Sequence, residues 1–269
     1  MVPVSPRSPD AYDSLRVLGF VLLGFSGVVM LLAREDPGLA VSVMSIEGLF
    51  LLVPLAYVLL FRLPLVSSFA FRLPSLPALF CVGLASVSSM WLLNGLTIVQ
   101  DWVLVRMGHE AYARDTIDQL QKYVVEILAL GPVSAFLLLS FLPGLGEEML
   151  FRGVVFRGFQ RSIKPVGALL VTAVLFALMH GELMKMIPMF FLGLFFGSLV
   201  LMSRSIWAGV LAHMANNGAV LVVAQIESGG RQVSEAPWFV YPFAAALFVL
   251  AMTALYRDFR SRENLPVSG

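Results

Sequence analysis

The chain has few charged residues and almost no cysteine. Asp, Glu, Lys and Arg make up 13% of its 269 residues, whereas an ordinary soluble domain carries about 25%. Its single cysteine, Cys81, excludes an intramolecular disulfide framework and a zinc site built from several cysteines. The net charge of +1 provides no basic surface of the kind that binds nucleic acid, so no nucleic-acid partner is expected.

Apolar runs occupy most of the chain, and 59% of its residues are hydrophobic. Each run is near the roughly 20 residues that a helix needs to span a bilayer, and continuous rather than alternating runs argue against a β-barrel. The sequence therefore predicts an all-α fold, a polytopic transmembrane bundle of about eight to nine helices in the lipid bilayer. The short connections favour a bacterial inner membrane. The predicted apolar helices cover residues 14–33, 43–61, 76–98, 125–142, 165–180, 184–203, 205–226 and 237–256, and a less apolar helix covers 146–163.

Three regions are predicted along the chain. Residues 1–124 contribute N-terminal transmembrane helices and end in a polar connection, 99–124, which is expected to form a surface helix at the membrane interface. Residues 125–226 form the helical core that carries the unusual polar residues, and 227–269 hold the last transmembrane helix and a basic tail. No cleavable signal peptide is expected, because residues 1–13 are polar and the first apolar run is long enough to span.

Residues 147–152 read Glu-Glu-Met-Leu-Phe-Arg within this apolar context. Ionisable groups at membrane depth are costly, and they are usually paired or functional. On an α-helix Glu148 and Arg152 share one face and can form an ion pair, whereas Glu147 points elsewhere. We therefore expect Arg152 to hold Glu148, and Glu147 to be free to act on a water molecule. The alternative is a salt bridge that only joins helices, which leaves Glu147 unexplained.

The dipeptide Lys164-Pro165 predicts a break between two helices, because proline suits the first turn of a helix and disrupts its interior. Glu147 lies 17 residues before Lys164, and His180 lies 15 residues after Pro165. Two antiparallel helices of such similar length bring Glu147 and His180 to nearly the same depth. A single histidine at a helix end, taken alone, is more typical of a helix cap or an interface residue.

The distribution of Lys and Arg predicts a sidedness. If all nine predicted helices cross the bilayer, most of these residues fall in loops on the side of the C-terminus. Because positively charged loops stay in the cytoplasm, the C-terminus would lie there and the Glu147/His180 end of the bundle outside. A helix that only dips into the membrane would invert this assignment.

His213 and Asn217 lie four residues apart in another apolar run and share one helix face. One interpretation is a hydrogen-bonding patch between membrane helices. The other is a pair of donors to the oxyanion of a tetrahedral intermediate, with Glu147 and His180 activating the attacking water. This second scheme needs no serine or cysteine nucleophile.

Together these motifs resemble the CAAX-processing-protease and bacteriocin-processing (CPBP, Abi) family of intramembrane glutamic endopeptidases. The family signatures, which lie within residues 125–225, are present as Glu147-Glu148-x-x-x-Arg152, Phe176-x-x-x-His180 and His213-x-x-x-Asn217. The resemblance implies a catalytic core in which Glu147 and His180 act on the water. His213 and Asn217 would form the oxyanion hole, and Glu148 and Arg152 would support the site.

The resemblance also implies a peptide or protein substrate that is cleaved near the membrane surface. The substrate is either a prenylated CAAX tail or, as a bacterial chain favours, an unprenylated peptide such as a bacteriocin-like precursor or a C-terminal membrane anchor. A non-enzymatic immunity factor or transporter, which binds a peptide or an ion at the same cluster, is the alternative. No cofactor is expected. Zinc held by Glu147, His180 and His213 is the other possibility, although no His-Glu-x-x-His motif is present.

Overall fold

The computed structural model describes residues 7–181, 183–229 and 236–263, which form ten helices and no strand. The all-α prediction is confirmed for this part of the chain. The helices are α1 (Ala11–Glu35), α2 (Leu39–Leu60), α3 (Leu65–Phe69), α4 (Leu76–Arg106), α5 (Glu110–Leu128), α6 (Pro132–Gln160), α7 (Pro165–Met179), α8 (Leu183–Ser203), α9 (Ile206–Ser228) and α10 (Val240–Glu263).

Seven of these helices are long and apolar enough to cross a membrane, namely α1, α2, α4, α6, α8, α9 and α10. α7 is apolar but shorter. Large apolar side chains cover the outside of the bundle, such as Leu23 and Met30 of α1, each 74% exposed. Because such a surface is stable in hydrocarbon and not in water, the chain is a multi-pass integral membrane protein.

α6 is one continuous helix of 29 residues, so the prediction of separate helices at 125–142 and 146–163 is wrong. Two stretches within it, Leu137–Phe141 and Met149–Val155, have the wider turns of a π-helix. The first ends shortly before Pro143 and contains the carbonyl group with which the proline ring would clash in a regular α-helix. The wider turn relieves this collision, and the helix continues through the proline.

The joining of these two predicted helices also changes the count of crossings. The predicted sidedness assumed nine crossing helices, whereas the described residues contain seven candidate spans and the shorter α7. Neither seven crossings nor eight with α7 equals the nine that were assumed, so the argument that the Glu147/His180 end lies outside the cell loses its premise.

The polar connection 99–124 does not form one surface helix. α4 continues through Arg106, and α5 begins at Glu110 after a turn in which Gly108 has a φ of +83°. Trp102, predicted to lie on the surface helix, belongs to the end of α4, where the Arg106 guanidinium lies 5.3 Å from its ring centre. The charged residues that follow are on α5, which runs on to Leu128.

A polar network joins the start of α1 to α2. Asp10 caps α1, since its side chain accepts from the backbone N–H of Asp13 and the Asp13 side chain accepts from the N–H of Asp10, each at 3.0 Å. The buried Asp13 carboxylate also accepts from the Tyr57 hydroxyl at 2.6 Å and from Arg7 at 2.5 Å. All these groups are satisfied, so the network fixes the angle at which α1 enters the bundle.

Glycines allow several helix pairs to approach closely. In α8, a Cβ on Gly193 would lie 2.9 Å from the Ala173 Cα, and one on Gly197 would lie 2.4 Å from the Leu169 Cδ1. Gly193 and Gly197 therefore permit α8 to pack closely against α7. This contact holds the second arm of the Lys164-Pro165 hairpin against α8.

Gly158 has a similar role between α6 and α1. The Ser14 hydroxyl donates to the Val155 carbonyl at 3.0 Å, and an added Cβ on Gly158 would lie 1.9 Å from the Ser14 Oγ and 2.3 Å from the Asp10 carbonyl oxygen. The substitution Gly158→Ala forces α1 away from α6. We expect it to lower the free energy of unfolding by about 1–3 kcal/mol.

The measurement is the thermal unfolding of the full chain in detergent, and Gly19→Ala is the matched control. Gly19 also lies in a helix, but a Cβ there meets no heavy atom within 4 Å among the described residues. The control should unfold at the same temperature as the wild type or slightly above it, because alanine has the higher helix propensity. Equal unfolding temperatures for the two variants would show that α1 and α6 are not held this closely.

Candidate active site

A cavity of about 210 Å³ lies between α1, α2, α6 and α7. Glu147 of α6 and His180 at the end of α7 both line it. The two residues that the Lys164-Pro165 hairpin is predicted to bring to the same depth thus line one cavity. The remaining lining residues are mostly apolar: Phe25, Ile46, Glu47, Phe50, Phe151 and Met179.

The packing of neighbouring side chains does not explain why Glu147 is buried. Its side chain is only 7% exposed, and its Oε2 atom is buried without a hydrogen-bond partner among the described residues. A buried carboxylate oxygen that lacks a partner costs free energy, so its position demands another explanation. Since the side chain lines the cavity, a molecule within the cavity can supply the missing hydrogen bond.

His180 is oriented by the helix that it ends. Its Nδ1 lies 2.8 Å from the Phe176 carbonyl oxygen, and Gly181, with a φ of +70°, stops the helix. Because a carbonyl oxygen only accepts hydrogen bonds, Nδ1 carries a proton, and in the neutral ring Nε2 keeps the lone pair. His180 is thus both the C-cap residue of α7, as the simpler interpretation predicts, and a hydrogen-bond acceptor at the cavity.

The predicted ion pair between Glu148 and Arg152 is present, with Nη1 2.5 Å from Oε1. Both side chains are buried, at 0% and 1% exposure. The other guanidinium nitrogen of Arg152, Nη2, donates to the Gly193 carbonyl of α8 at 3.0 Å, and the guanidinium carbon lies 4.6 Å from the ring centre of Phe176 in α7. The ion pair therefore ties α6 to both arms of the α7–α8 pair.

His213 joins the same network from α9. Its Nδ1 lies 3.3 Å from the Glu148 Oε1, and its ring stacks on Phe196 with 4.8 Å between ring centres. Gly209, one turn earlier in α9, makes room for the carboxylate, since a Cβ there would lie 2.5 Å from the Glu148 Oε2. Glu148 consequently holds both a guanidinium and an imidazole, which fixes the orientation of His213.

The structure does not place every predicted residue at the cavity. Of the described residues, neither His213 nor Asn217 lines it. The rings of His180 and His213 both contact the Phe176 ring, at 4.9 Å and 6.0 Å between centres, so the two histidines approach the same aromatic side chain. Asn217 is half-buried, and its side-chain oxygen accepts from Asn216 at 3.5 Å.

One cavity residue was missed by the sequence analysis. Glu47 of α2 lines the cavity beside Glu147, and its Oε2 is likewise buried without a hydrogen-bond partner among the residues described. A signal was available, because Glu47 is a lone carboxylate in the apolar run Val-Ser-Val-Met-Ser-Ile-Glu-Gly-Leu-Phe. An ionisable group at membrane depth is usually paired or functional, and this applies to Glu47 as it does to residues 147–152.

Within the described ranges no three His, Cys, Asp or Glu side chains are grouped so that they hold a metal ion. The absence of a cofactor stays a prediction. The residues that the zinc alternative would use are divided between two places: Glu147 and His180 line the cavity, while His213 contacts Glu148.

The buried ion pair allows a test against an exposed pair of the same type. Arg152→Met leaves Glu148 buried without its cation, and we expect this to lower the free energy of unfolding by roughly 3–5 kcal/mol. The double variant Glu148→Gln/Arg152→Met should recover part of the loss, because no uncompensated charge remains. Unfolding of the purified chain by titration with denaturing detergent provides the measurement.

The matched control is Arg114→Met on α5. Arg114 pairs with Glu110, also four residues apart, but these side chains are 75% and 50% exposed. Exposed pairs contribute little to stability, so this variant should unfold like the wild type. If the two single variants lose a similar free energy of unfolding, burial does not increase the contribution of the Glu148–Arg152 pair to stability.

The comparisons with known proteins agree with this arrangement. Residues 129–219 match the family model described as Type II CAAX prenyl endopeptidase Rce1-like, and this segment contains all six predicted site residues. No curated protein and no solved structure matches the chain. Residues 129–219 of this membrane protein therefore match an Rce1-like domain of the CAAX prenyl endopeptidase type.

Proposed function

We propose that the chain is an intramembrane endopeptidase that hydrolyses a peptide bond near the membrane surface. The observation that carries this proposal is the buried, unpartnered Oε2 of Glu147 in the same cavity as His180. The cavity volume of about 210 Å³ is well above the roughly 10–15 Å³ that one water molecule needs. Water, a base and an oriented imidazole can thus meet in one cavity.

In this mechanism Glu147 takes a proton from the water, and the Nε2 lone pair of His180 accepts a hydrogen bond from the same molecule. The water oxygen then attacks the peptide carbonyl carbon. A general base of this kind accelerates such a step by roughly 10²–10⁴-fold. The apolar cavity walls, such as Phe25 and Phe50, strengthen these electrostatic interactions because they exclude bulk water.

His213 and Asn217 are proposed to stabilise the oxyanion of the tetrahedral intermediate. The His213 Nδ1 lies 3.3 Å from the Glu148 Oε1, and because the carboxylate that pairs with Arg152 only accepts hydrogen bonds, Nδ1 is the donor. To donate to an oxyanion through Nε2 as well as to Glu148 through Nδ1, the ring must carry a proton on each nitrogen. Glu148 and Arg152 support this role, since they hold the ring in place from α6.

The proposed substrate is a membrane-associated or exported protein or peptide, cleaved in its C-terminal region. The family description names CAAX prenyl endopeptidases, and a prenylated tail is one candidate. An unprenylated precursor peptide or a C-terminal membrane anchor is the other, as the short loops of a bacterial membrane protein favour. Both kinds of substrate enter the bilayer through an apolar segment, which suits a site among membrane-spanning helices.

The catalytic assignment predicts that Glu147→Gln and His180→Ala each reduce processing by about 10²-fold or more, because each removes a group that acts on the water. Each variant is co-expressed with farnesylated CAAX, tail-anchored or precursor-peptide substrates, and cleavage is followed by mass spectrometry. Glu126→Gln is the matched control, since Glu126 is an exposed glutamate of α5.

Undiminished cleavage by both site variants would make the catalytic assignment wrong. The alternative is a non-enzymatic protein that binds a peptide or an ion at this cluster, and it predicts a different result. It would retain a peptide in wild-type membranes without cleaving it, and Glu147→Gln would change the amount retained rather than the length of the product.

The proposed mechanism uses no metal ion, and this gives a separate prediction. Exhaustive dialysis against EDTA and 1,10-phenanthroline should leave the rate of cleavage unchanged, because Glu147 itself removes the proton from water. Loss of activity that is restored by Zn²⁺ alone would favour the zinc alternative. The same chelators act on thermolysin-type enzymes as a positive control in the assay.

A further inference from the structure

The cavity contains two carboxyl groups, and each has an unsatisfied oxygen. The Oε2 atoms of Glu47 and Glu147 are both buried, and neither has a hydrogen-bond partner within the described part of the chain. The two residues come from different helices, α2 and α6, and line the same cavity. One unpartnered carboxyl group can be accounted for by a water molecule, but two facing one cavity indicate a more specific arrangement.

The close approach of these helices is built into the sequence at Gly146. A Cβ on Gly146 would lie 3.0 Å from the Glu47 carbonyl oxygen and 3.4 Å from the Leu51 backbone nitrogen. Any larger residue would push α2 away from α6. The glycine directly before Glu147 therefore brings the backbone of Glu47 against that of the proposed general base.

Among the described residues, the titratable groups that line the cavity with Glu47 are Glu147 and His180. Tyr123 of α5 also lies close enough to feel the charge of Glu47. Burial, and after it the charge of Glu47, raises the pKa of the Tyr123 hydroxyl to about 12, so Tyr123 contributes no charge near neutral pH. Arg152 donates to Glu148 and to the Gly193 carbonyl instead.

The two carboxyl groups therefore repel each other if both are ionised, and the apolar walls of the cavity do nothing to offset that repulsion. Two neighbouring carboxyl groups in such a setting commonly share one proton, which gives one carboxylate and one carboxylic acid. A base and an acid that line one cavity are the two groups that peptide hydrolysis requires.

We propose that Glu47 is a further catalytic residue, the acid that protonates the leaving amine. The inference rests on the proposed endopeptidase function and completes it. His180 does not fill this role while its ring is neutral, because Nδ1 donates to Phe176 and Nε2 holds a lone pair. Among the described residues that line the cavity, Glu47 is the polar side chain that has no role in the mechanism so far.

Glu147 takes one proton of the water as its oxygen bonds to the carbonyl carbon, and the C=O π electrons move to oxygen. The C=O bond then re-forms as the C–N bond breaks, and its electron pair goes to the nitrogen, which receives the Glu47 proton. The products are a carboxylic acid and an amine. Transfer of the proton from Glu147 to Glu47 restores the starting state.

The test uses the full chain in liposomes and compares wild type with Glu47→Gln, Glu147→Gln and the exposed control Glu126→Gln. The probes are an internally quenched farnesylated CAAX peptide and its ester analogue, in which oxygen replaces the scissile N–H. We expect Glu47→Gln to lower kcat about 10²-fold on the amide. The loss on the ester should be much smaller, because an alcohol departs with less help from an acid. The alkaline limb of the amide pH profile should also disappear.

The variants separate the two proposals. If Glu147→Gln cleaves the amide like the wild type, the proposed function fails. If Glu147→Gln is inactive but Glu47→Gln keeps the wild-type rate and pH profile, the function stands and the role of Glu47 is refuted. An equal loss on amide and ester by Glu47→Gln also refutes it, since a merely structural role would not distinguish the leaving groups.

A second measurement does not depend on cleavage of either probe. Infrared spectroscopy detects the C=O stretch of a protonated carboxyl group, and the shared proton predicts such a band in the wild type near neutral pH. Glu47→Gln should remove it, whereas Glu126→Gln should leave it unchanged. A band that persists in Glu47→Gln would show that the protonated carboxyl group is not Glu47. It would refute both the shared proton and the proposed role of Glu47 as the acid.

Discussion

The buried ion pair between Glu148 and Arg152 is the interaction on which the rest of the site depends. A charge at this depth is tolerated only when it is paired, and here the pairing also organises the surroundings. Arg152 reaches the Gly193 carbonyl of α8 and the Phe176 ring of α7, while Glu148 holds His213 of α9. Three helices are thereby oriented around α6, and Glu147, the adjacent residue, is left facing the cavity.

The sequence predicts the parts of the site that local geometry controls. Four-residue spacing pairs Glu148 with Arg152, and the Lys164-Pro165 break places Glu147 near His180, because both relations follow from the rise and twist of one or two helices. The apolar runs predict the helices for the same reason. Where a helix begins after a glycine or proline is also readable, as at Pro165.

The features of the structure that the sequence does not predict depend on contacts between distant segments or on unusual helical turns. The predicted helix 125–142 ends before Pro143, but a π-helical stretch before this proline lets α6 continue, and no residue pattern predicts that stretch. Glu47 is separated from Glu147 by 100 positions in the chain. Its place at the cavity follows from the packing of α2 on α6 at Gly146, which becomes visible only when the backbones are in position.

The origin of the cavity walls limits what happens when the matched segment is moved into another protein. The segment that matches the family, residues 129–219, supplies Glu147 and His180, but Phe25 and Glu47 come from α1 and α2, outside it. Grafting the matched segment alone into another membrane protein would carry the motifs and leave half of their enclosure behind. The recognisable motif and the cavity are therefore different units of this molecule, and recombination that preserves the first does not by itself preserve the second.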